Sequence, residues 1–386
     1  MEMRPGYKQT EVGVIPEDWE VSVVGHEFDV QLGKMLDAAK NMGDPKPYLG
    51  NRNVQWGKID VTDLSTMRMT RSDLERFRLK RGDLLVCEGG DVGRAAIWDD
   101  SLKECYYQKA LHRLRPLREF DSRLMVELLH QWSCSGILAN YVTQTSIAHL
   151  PREKFLEVPL PVPKPEEQRA IATALSDMDA LLDGLDRLIA KKRAIKQATM
   201  QQLLTGQIRL PGFNGEWEVK RLGDVLTIKH GKSQKYVEAS DGSYPILATG
   251  GQIGLASQPI YDKSSVLIGR KGTINQPQYM DQPFWSVDTL FYSEMKKGNV
   301  AKFFYYRFCL INWMQYNEAS GVPSLNARTI ESIELSLPDP EEQTAIATIL
   351  SDMDTEITSL EARHAKIRAL KQAMMQELLT GRTRLV

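Results

Sequence analysis

The 386-residue chain carries 49 Lys and Arg against 50 Asp and Glu, a net charge of −1, with 42% hydrophobic and 26% charged residues. That composition fits two or three folded domains and excludes a protein that coats nucleic acid through bulk positive charge, although a local basic groove stays open. There is no run of 18 apolar residues and no basic-then-apolar leader at Met1, and Cys87, Cys105, Cys134 and Cys309 form no C-x-x-C pair, so the expected setting is a reducing cytoplasm rather than a membrane or the cell exterior.

Residues 1–158 read as a mixed α/β block with many short strands. Trp19-Glu20-Val21 and Gly25 lie near its start. Further on, Gly82-Asp83-Leu84-Leu85-Val86 feeds the glycine turn Glu88-Gly89-Gly90-Asp91-Val92-Gly93-Arg94, and Ala95-Ala96-Ile97-Trp98 returns as a strand. A tight hairpin alone accounts for such glycines, yet an exposed turn offering Arg94 also suits a phosphate or a guanine edge.

Residues 159–210 change character. Proline-broken sequence from Pro159 to Pro165 gives way to a proline-free run ending at Gly206, the start and stop signs of one long helix. Ile171, Leu175, Met178, Leu182, Leu185 and Ile189 step by threes and fours, as in a coiled-coil seam. Six acids occupy 166–186 with Arg169 as the one base; six bases, Arg187, Lys191, Lys192, Arg193, Lys196 and Arg209, occupy 187–209. That order also suits the helix dipole by itself.

Residues 211–335 form a second mixed α/β block, in which Ser264 to Ile268 feeds the turn Gly269-Arg270-Lys271-Gly272-Thr273-Ile274. Its edges repeat those of the first block. Trp217-Glu218-Val219 and Gly223 match Trp19-Glu20-Val21 and Gly25, and Gly321 to Leu325 aligns with Ser146 to Leu150, so both blocks are divergent versions of one domain. Residues 336–386 then restate the helix: 29 of the 46 positions from Pro165 to Leu210 are identical at Pro340 to Leu385. The stripe is now Ile346, Leu350, Met353, Ile357 and Leu360. Acids again come first, and Arg363, Lys366, Arg368, Lys371, Arg382 and Arg384 follow, with Glu377 as the late acid.

A helix of about 40 residues extends ~60 Å, more than a small domain needs, so each copy is expected to pair with the other. Parallel pairing would set acid against acid. Antiparallel pairing lays each acidic half along a basic half, with roughly 0.2–1 kcal/mol from each exposed pair. The expected fold is α+β: two mixed α/β domains separated by two long antiparallel helices, with an internal pseudo-twofold repeat and a block at each end of the rod.

Catalytic motifs are weak. A Walker A loop would need glycine where Leu226 precedes Gly231-Lys232-Ser233, and Gly250-Gly251-Gln252-Ile253-Gly254 lacks the G-x-G-x-x-G order. Asn275-Gln276-Pro277-Gln278-Tyr279 lacks the second proline of the Asn-Pro-Pro-aromatic motif of amino-methyltransferases. The six histidines form no triad or metal spacing. The expectation is a chain with no active site of its own.

Leu160-Pro161, Pro165-Glu166-Glu167-Gln168, Ile171-Ala172, Leu175-Ser176-Asp177-Met178-Asp179, Lys191-Lys192, Ile195-Lys196-Gln197 and Met200 to Gly206, restated from Leu335 to Gly381, carry a resemblance. They are similar to the conserved regions of the specificity subunit of type I restriction–modification enzymes. The resemblance implies target recognition domains at 1–158 and 211–335 and helical spacers at 159–210 and 336–386. Each domain would read one half of a split, asymmetric double-stranded DNA site. The helices would set the spacing and dock two modification subunits, which bind S-adenosylmethionine and methylate adenine. Restriction subunits using ATP and Mg²⁺ would join them.

On that reading, loop side chains able to reach base edges are the candidate DNA contacts: Lys34, Arg94, Gln108, Lys109 and His149 in the first block, and Lys232, Arg270, Lys271, Asn275, Ser324 and Asn326 in the second. Each equally suits ordinary surface. Arg187, Lys191, Lys192, Lys196, Arg363, Lys366, Arg368 and Lys371 are the candidate subunit-interface residues. Two readings compete: a coiled-coil scaffold that organises protein partners without DNA, and a methyltransferase that binds the methyl donor by itself.

Overall fold

The computed structural model describes residues 5–37, 39, 41–144 and 148–386. Two compact units emerge, one comprising Met1–Leu185 with Arg363–Val386 and the other Asp186–Ala362. The division falls inside both long helices, because each helix half packs into the unit nearest it in the fold rather than into a separate spacer.

In the first unit a four-stranded antiparallel sheet runs in the order Ala95–Ile97, Leu84–Cys87, Leu111–Pro116, Phe28–Leu32. Strand Leu84–Cys87 is buried on both faces, and its alternation divides two cores. Leu84 and Val86 join the core containing the helix Ser122–Ser135, whereas Leu85 and Cys87 face a second core with Leu49, Met69, Trp98 and Tyr106. That second core belongs to a three-stranded sheet ordered Tyr106–Tyr107, Asp44–Leu49, Ser65–Met69.

The second unit repeats this plan strand for strand. Its four-stranded sheet runs Gln278–Met280, Ser265–Gly269, Leu290–Met295, Leu226–His230, and its three-stranded sheet runs Trp285–Ser286, Tyr244–Ala248, Gly251–Ala256. Val266 and Ile268 face one core and Leu267 the other. Pro159–Val162 pairs with Glu20–Val23 in the first unit, as Glu334–Leu337 pairs with Glu218–Arg221 in the second, so both Trp-Glu-Val motifs lead into the same kind of edge ribbon.

The repeated segments are helices Pro165–Leu204 and Pro340–Leu378, ending just ahead of Gly206 and Gly381. Within the second unit, Lys192 meets Glu356 at 2.7 Å, Arg193 meets Glu361 at 2.6 Å and Lys196 pairs with Asp354. In the first unit Lys371 meets Asp179 at 2.7 Å. Both sets join a basic half of one helix to an acidic half of the other, so the pairing is antiparallel. The expected seam is only partly a helix–helix contact: Ile171 and Leu175 enter the first core beside Met375 and Leu378, while Met200, Leu203, Ile346 and Leu350 enter the second. No helix among the described residues is long and apolar enough to cross a membrane.

The repeated motif Pro-Glu-Glu-Gln acts at both ends of this frame. Glu167 is fully buried and accepts hydrogen bonds from the Trp19 indole at 2.9 Å and from Arg384 at 2.8 Å. Glu342 accepts from Trp217 at 3.0 Å and Arg209 at 2.6 Å. Gln168 and Gln343 tie the turn before each long helix to the start of an earlier, shorter helix, donating to the Pro163 and Pro338 carbonyls and accepting from the Asp121 and Val300 amides that cap Ser122–Ser135 and Ala301–Leu310.

Candidate nucleic-acid interface

In each unit several loops meet at the end of the central strand. In the first, the Glu88 amide donates to the Ala110 carbonyl at 2.9 Å, and the Glu88 carbonyl accepts from the Leu150 amide at 2.7 Å. Gly89 forms a bridge with His149, and Lys34 with Gln108. In the second, the Arg270 amide donates to the Thr289 carbonyl at 2.8 Å, the Arg270 carbonyl accepts from the Leu325 amide at 2.9 Å, and Lys271 bridges Ser324. The Lys34 amide donates to Tyr107 and the Lys232 amide to Ser286, again at equivalent places. Glycine precedes each lysine for a steric reason: a Cβ at Gly33 would stand 2.3 Å from the Gln108 carbonyl oxygen, and one at Gly231 2.0 Å from that of Val287.

The node gathers most of the candidate contacts. Lys34, Gln108, Lys109 and His149 converge in the first unit, and Lys232, Arg270, Lys271 and Ser324 in the second. Asn275 lies exposed between Ser265–Gly269 and Gln278–Met280, and Asn326 caps helix Ala327–Ser332, accepting from the Arg328 amide at 2.9 Å. Lys109, Lys232, Lys271, Asn275 and Asn326 are exposed. The alignment of Ser146 to Leu150 with Gly321 to Leu325 is described only from Ala148 onward; Ser146 and Ile147 lie outside the described residues.

Two arginines differ from the expected exposed turn. Arg94 is half-buried, Nη2 donating to the Asn51 carbonyl at 2.9 Å and Nη1 pairing with Asp91 at 3.4 Å. Arg270 is also half-buried, Nη1 donating to the Asp288 carbonyl at 3.2 Å. Lys34, too, is engaged, its ammonium 2.9 Å from Asp73. Asp91 lies in the same turn as Arg94, but the Asn51, Asp288 and Asp73 partners come from other loops, so the sequence near each residue carries no sign of them. Register makes a further difference: the counterpart of Arg270 is Glu88, whereas Arg94 lies at the foot of the returning strand.

Among the helical candidates, Arg187, Lys191, Arg363, Lys366 and Arg368 are exposed, and Lys192 and Lys196 hold the helix pair through Glu356 and Asp354. Lys371 is 8% exposed and sits 2.7 Å from Asp179 and 3.1 Å from Glu127. Burial raises the Glu127 carboxyl above the usual range, against the nearby charge of Lys371. Burial likewise pushes the Cys87 thiol up to about 11, which leaves it a poor nucleophile. Among the described residues no group of three or more His, Cys, Asp or Glu could hold a metal ion.

Comparison with known proteins agrees with this geometry. The chain is 26% identical to the MjaX specificity subunit assigned to a type I restriction enzyme of Methanocaldococcus jannaschii, over 98% of this chain and 96% of the relative. It is 23% identical to the type I restriction enzyme MjaVIII specificity subunit of the same organism, over 96% and 94%. In fold it is similar to the type I restriction–modification S subunit from M. genitalium, with a TM-score of 0.65 at 18% identity, over 97% of this chain and 99% of that one.

Two units of one topology, each closed by halves of twin helices and each ending its central sheet in a loop node, define a tandem-reader protein built on a duplicated frame. The chain belongs to the type I restriction modification DNA specificity domain family, whose model matches residues 16–197 and 214–369, one copy per repeat. It is a specificity subunit of a type I restriction–modification system.

Proposed function

We propose that each unit reads one half of a split, asymmetric double-stranded DNA site through its loop node, and that the paired helices fix the spacing between halves and dock two modification subunits. Adenine methylation with S-adenosylmethionine belongs to those partners, and ATP- and Mg²⁺-dependent cleavage to restriction subunits that join them in the cytoplasm. This chain supplies the address. The observation that carries the reading is the identical sheet order in both units combined with different side chains at the node. A shared fold with diverged loop residues is what two readers of unlike half-sites require, since base edges are told apart by the donors and acceptors presented to them.

The test is to purify the chain with its modification subunits, map methylated adenines by sequencing, and titrate the complex with bipartite and random duplexes. The expected result is one bipartite motif, binding that weakens steeply with salt, and clear preference for the motif. Equal affinity for both duplexes would instead favour a protein scaffold. Lengthening both helices in register is expected to lengthen the unread gap and leave both half-sites unchanged.

A further inference from the structure

The equivalent positions of the two nodes carry opposite charge. Glu88 and Arg270 each follow the central strand, donate their amide to the residue before the neighbouring strand, and accept from the leucine that ends the return loop. One residue before those acceptors, Ala110 and Thr289, stand Lys109 and Asp288. The first unit therefore presents an acid at the strand end with a base beside it, and the second a base at the strand end with an acid beside it. Both substitutions reverse together, which keeps each node close to neutral while exchanging its donor and acceptor.

The surroundings suit a base-reading role. Among the described residues no hydrogen bond or ion pair engages the Glu88 carboxylate, although it is half-buried. Burial raises its pKa, offset in part by the charges of Lys109 and His149. A half-buried carboxylate held by no protein donor is free to accept from an incoming base. Lys109 and Asp288 are exposed at the same nodes. A carboxylate accepts from the exocyclic amino group of cytosine or adenine, whereas a guanidinium donates to the O6 and N7 of guanine.

We propose that this reversed pair is a specificity determinant: Glu88 with Lys109 selects an amino-bearing base in the half-site of the first unit, and Arg270 with Asp288 selects guanine in the half-site of the second. The proposal rests on the DNA-reading function above and goes beyond it by assigning the discriminating residues.

The experiment uses the full chain with its modification subunits. The unaltered complex is first mapped for its methylation motif; absence of any bipartite motif would overturn the DNA-reading function itself. Glu88→Gln, Lys109→Gln, Arg270→Gln and Asp288→Asn are then titrated against duplexes in which each base pair of the motif is changed in turn. Glu88→Gln and Lys109→Gln are expected to lose discrimination, roughly ten- to a hundred-fold, at one position or two neighbouring positions of one half-site, and Arg270→Gln and Asp288→Asn at the other half-site. Lys109 and Asp288 are exposed, so their variants keep the test open even where a change at Glu88 impairs folding. With the motif intact in the unaltered complex, full discrimination in all four variants overturns the proposal. So does a loss spread evenly over every position, the sign of phosphate contact or a general structural role.

Discussion

Arg384 forks onto Glu167, Nε donating to Oε1 and Nη2 to Oε2 at 2.8 Å, and the same Oε2 also accepts from the Trp19 indole at 2.9 Å. Three segments far apart in sequence thus meet on one fully buried acid. The Arg384 guanidinium is held more basic than usual, chiefly by its hydrogen bonds to Asp18 and Glu167. Arg384→Ala leaves the Glu167 carboxylate buried with the indole alone, and is expected to destabilise the first unit by about 3 kcal/mol. Urea unfolding followed by tryptophan fluorescence checks this, and Arg209→Ala is expected to act on the second unit through Glu342.

Lys371 sits between Glu127 and Asp179. Lys371→Ala strands a buried acid and is expected to cost about 3–5 kcal/mol. Because the loss comes from the unpaired carboxylate, the double variant Lys371→Met with Glu127→Leu is expected to recover much of it. Hydrogen exchange in helix Ser122–Ser135 reports the difference; equal loss in both variants would rule out this account.

His112 is fully buried, its Nε2 donating to the Leu150 carbonyl at 2.9 Å, and burial lowers its pKa from 6.5 to about 4. The unfolded chain therefore takes up a proton near pH 6.5 before the folded one does. Stability from this group is complete above that pH and is lost as pH falls toward 4, by at most roughly 3 kcal/mol. The equivalent position in the second unit is Phe291, which pairs in the same register. His112→Phe is expected to flatten the fall in Tm between pH 6.5 and 4, as read by calorimetry.

Lys192→Glu sets like charges beside Glu356. The original pair is partly exposed to solvent, so the change is expected to cost only about 1 kcal/mol in stability. If this surface also docks modification subunits, the complex is expected to weaken far more than the fold, and size exclusion of the mixed subunits separates the two effects.

The duplicated frame was legible because its signals are local. Stripe, charge order, prolines and glycines all lie within each 46-residue repeat, and antiparallel pairing follows from charge alone. The node was less legible. The likeness of the two glycine turns sets Arg94 beside Arg270, whereas long-range strand register sets Glu88 there. The ties of Arg94 to Asn51 and of Lys371 to Glu127 join residues 43 and 244 positions apart, a separation no local pattern records. Ile171 and Leu175 have coiled-coil spacing but enter the core of a unit, because a helical stripe does not say which apolar surface it meets.

The first unit is completed by Arg363–Val386, while the second consists of the uninterrupted stretch Asp186–Ala362. On a ribosome, the unit encoded later has all its parts first. The one begun earlier waits with an open core until Arg363–Val386 emerges, so a chain cut short just ahead of Arg363 lacks part of its first unit while holding all of its second.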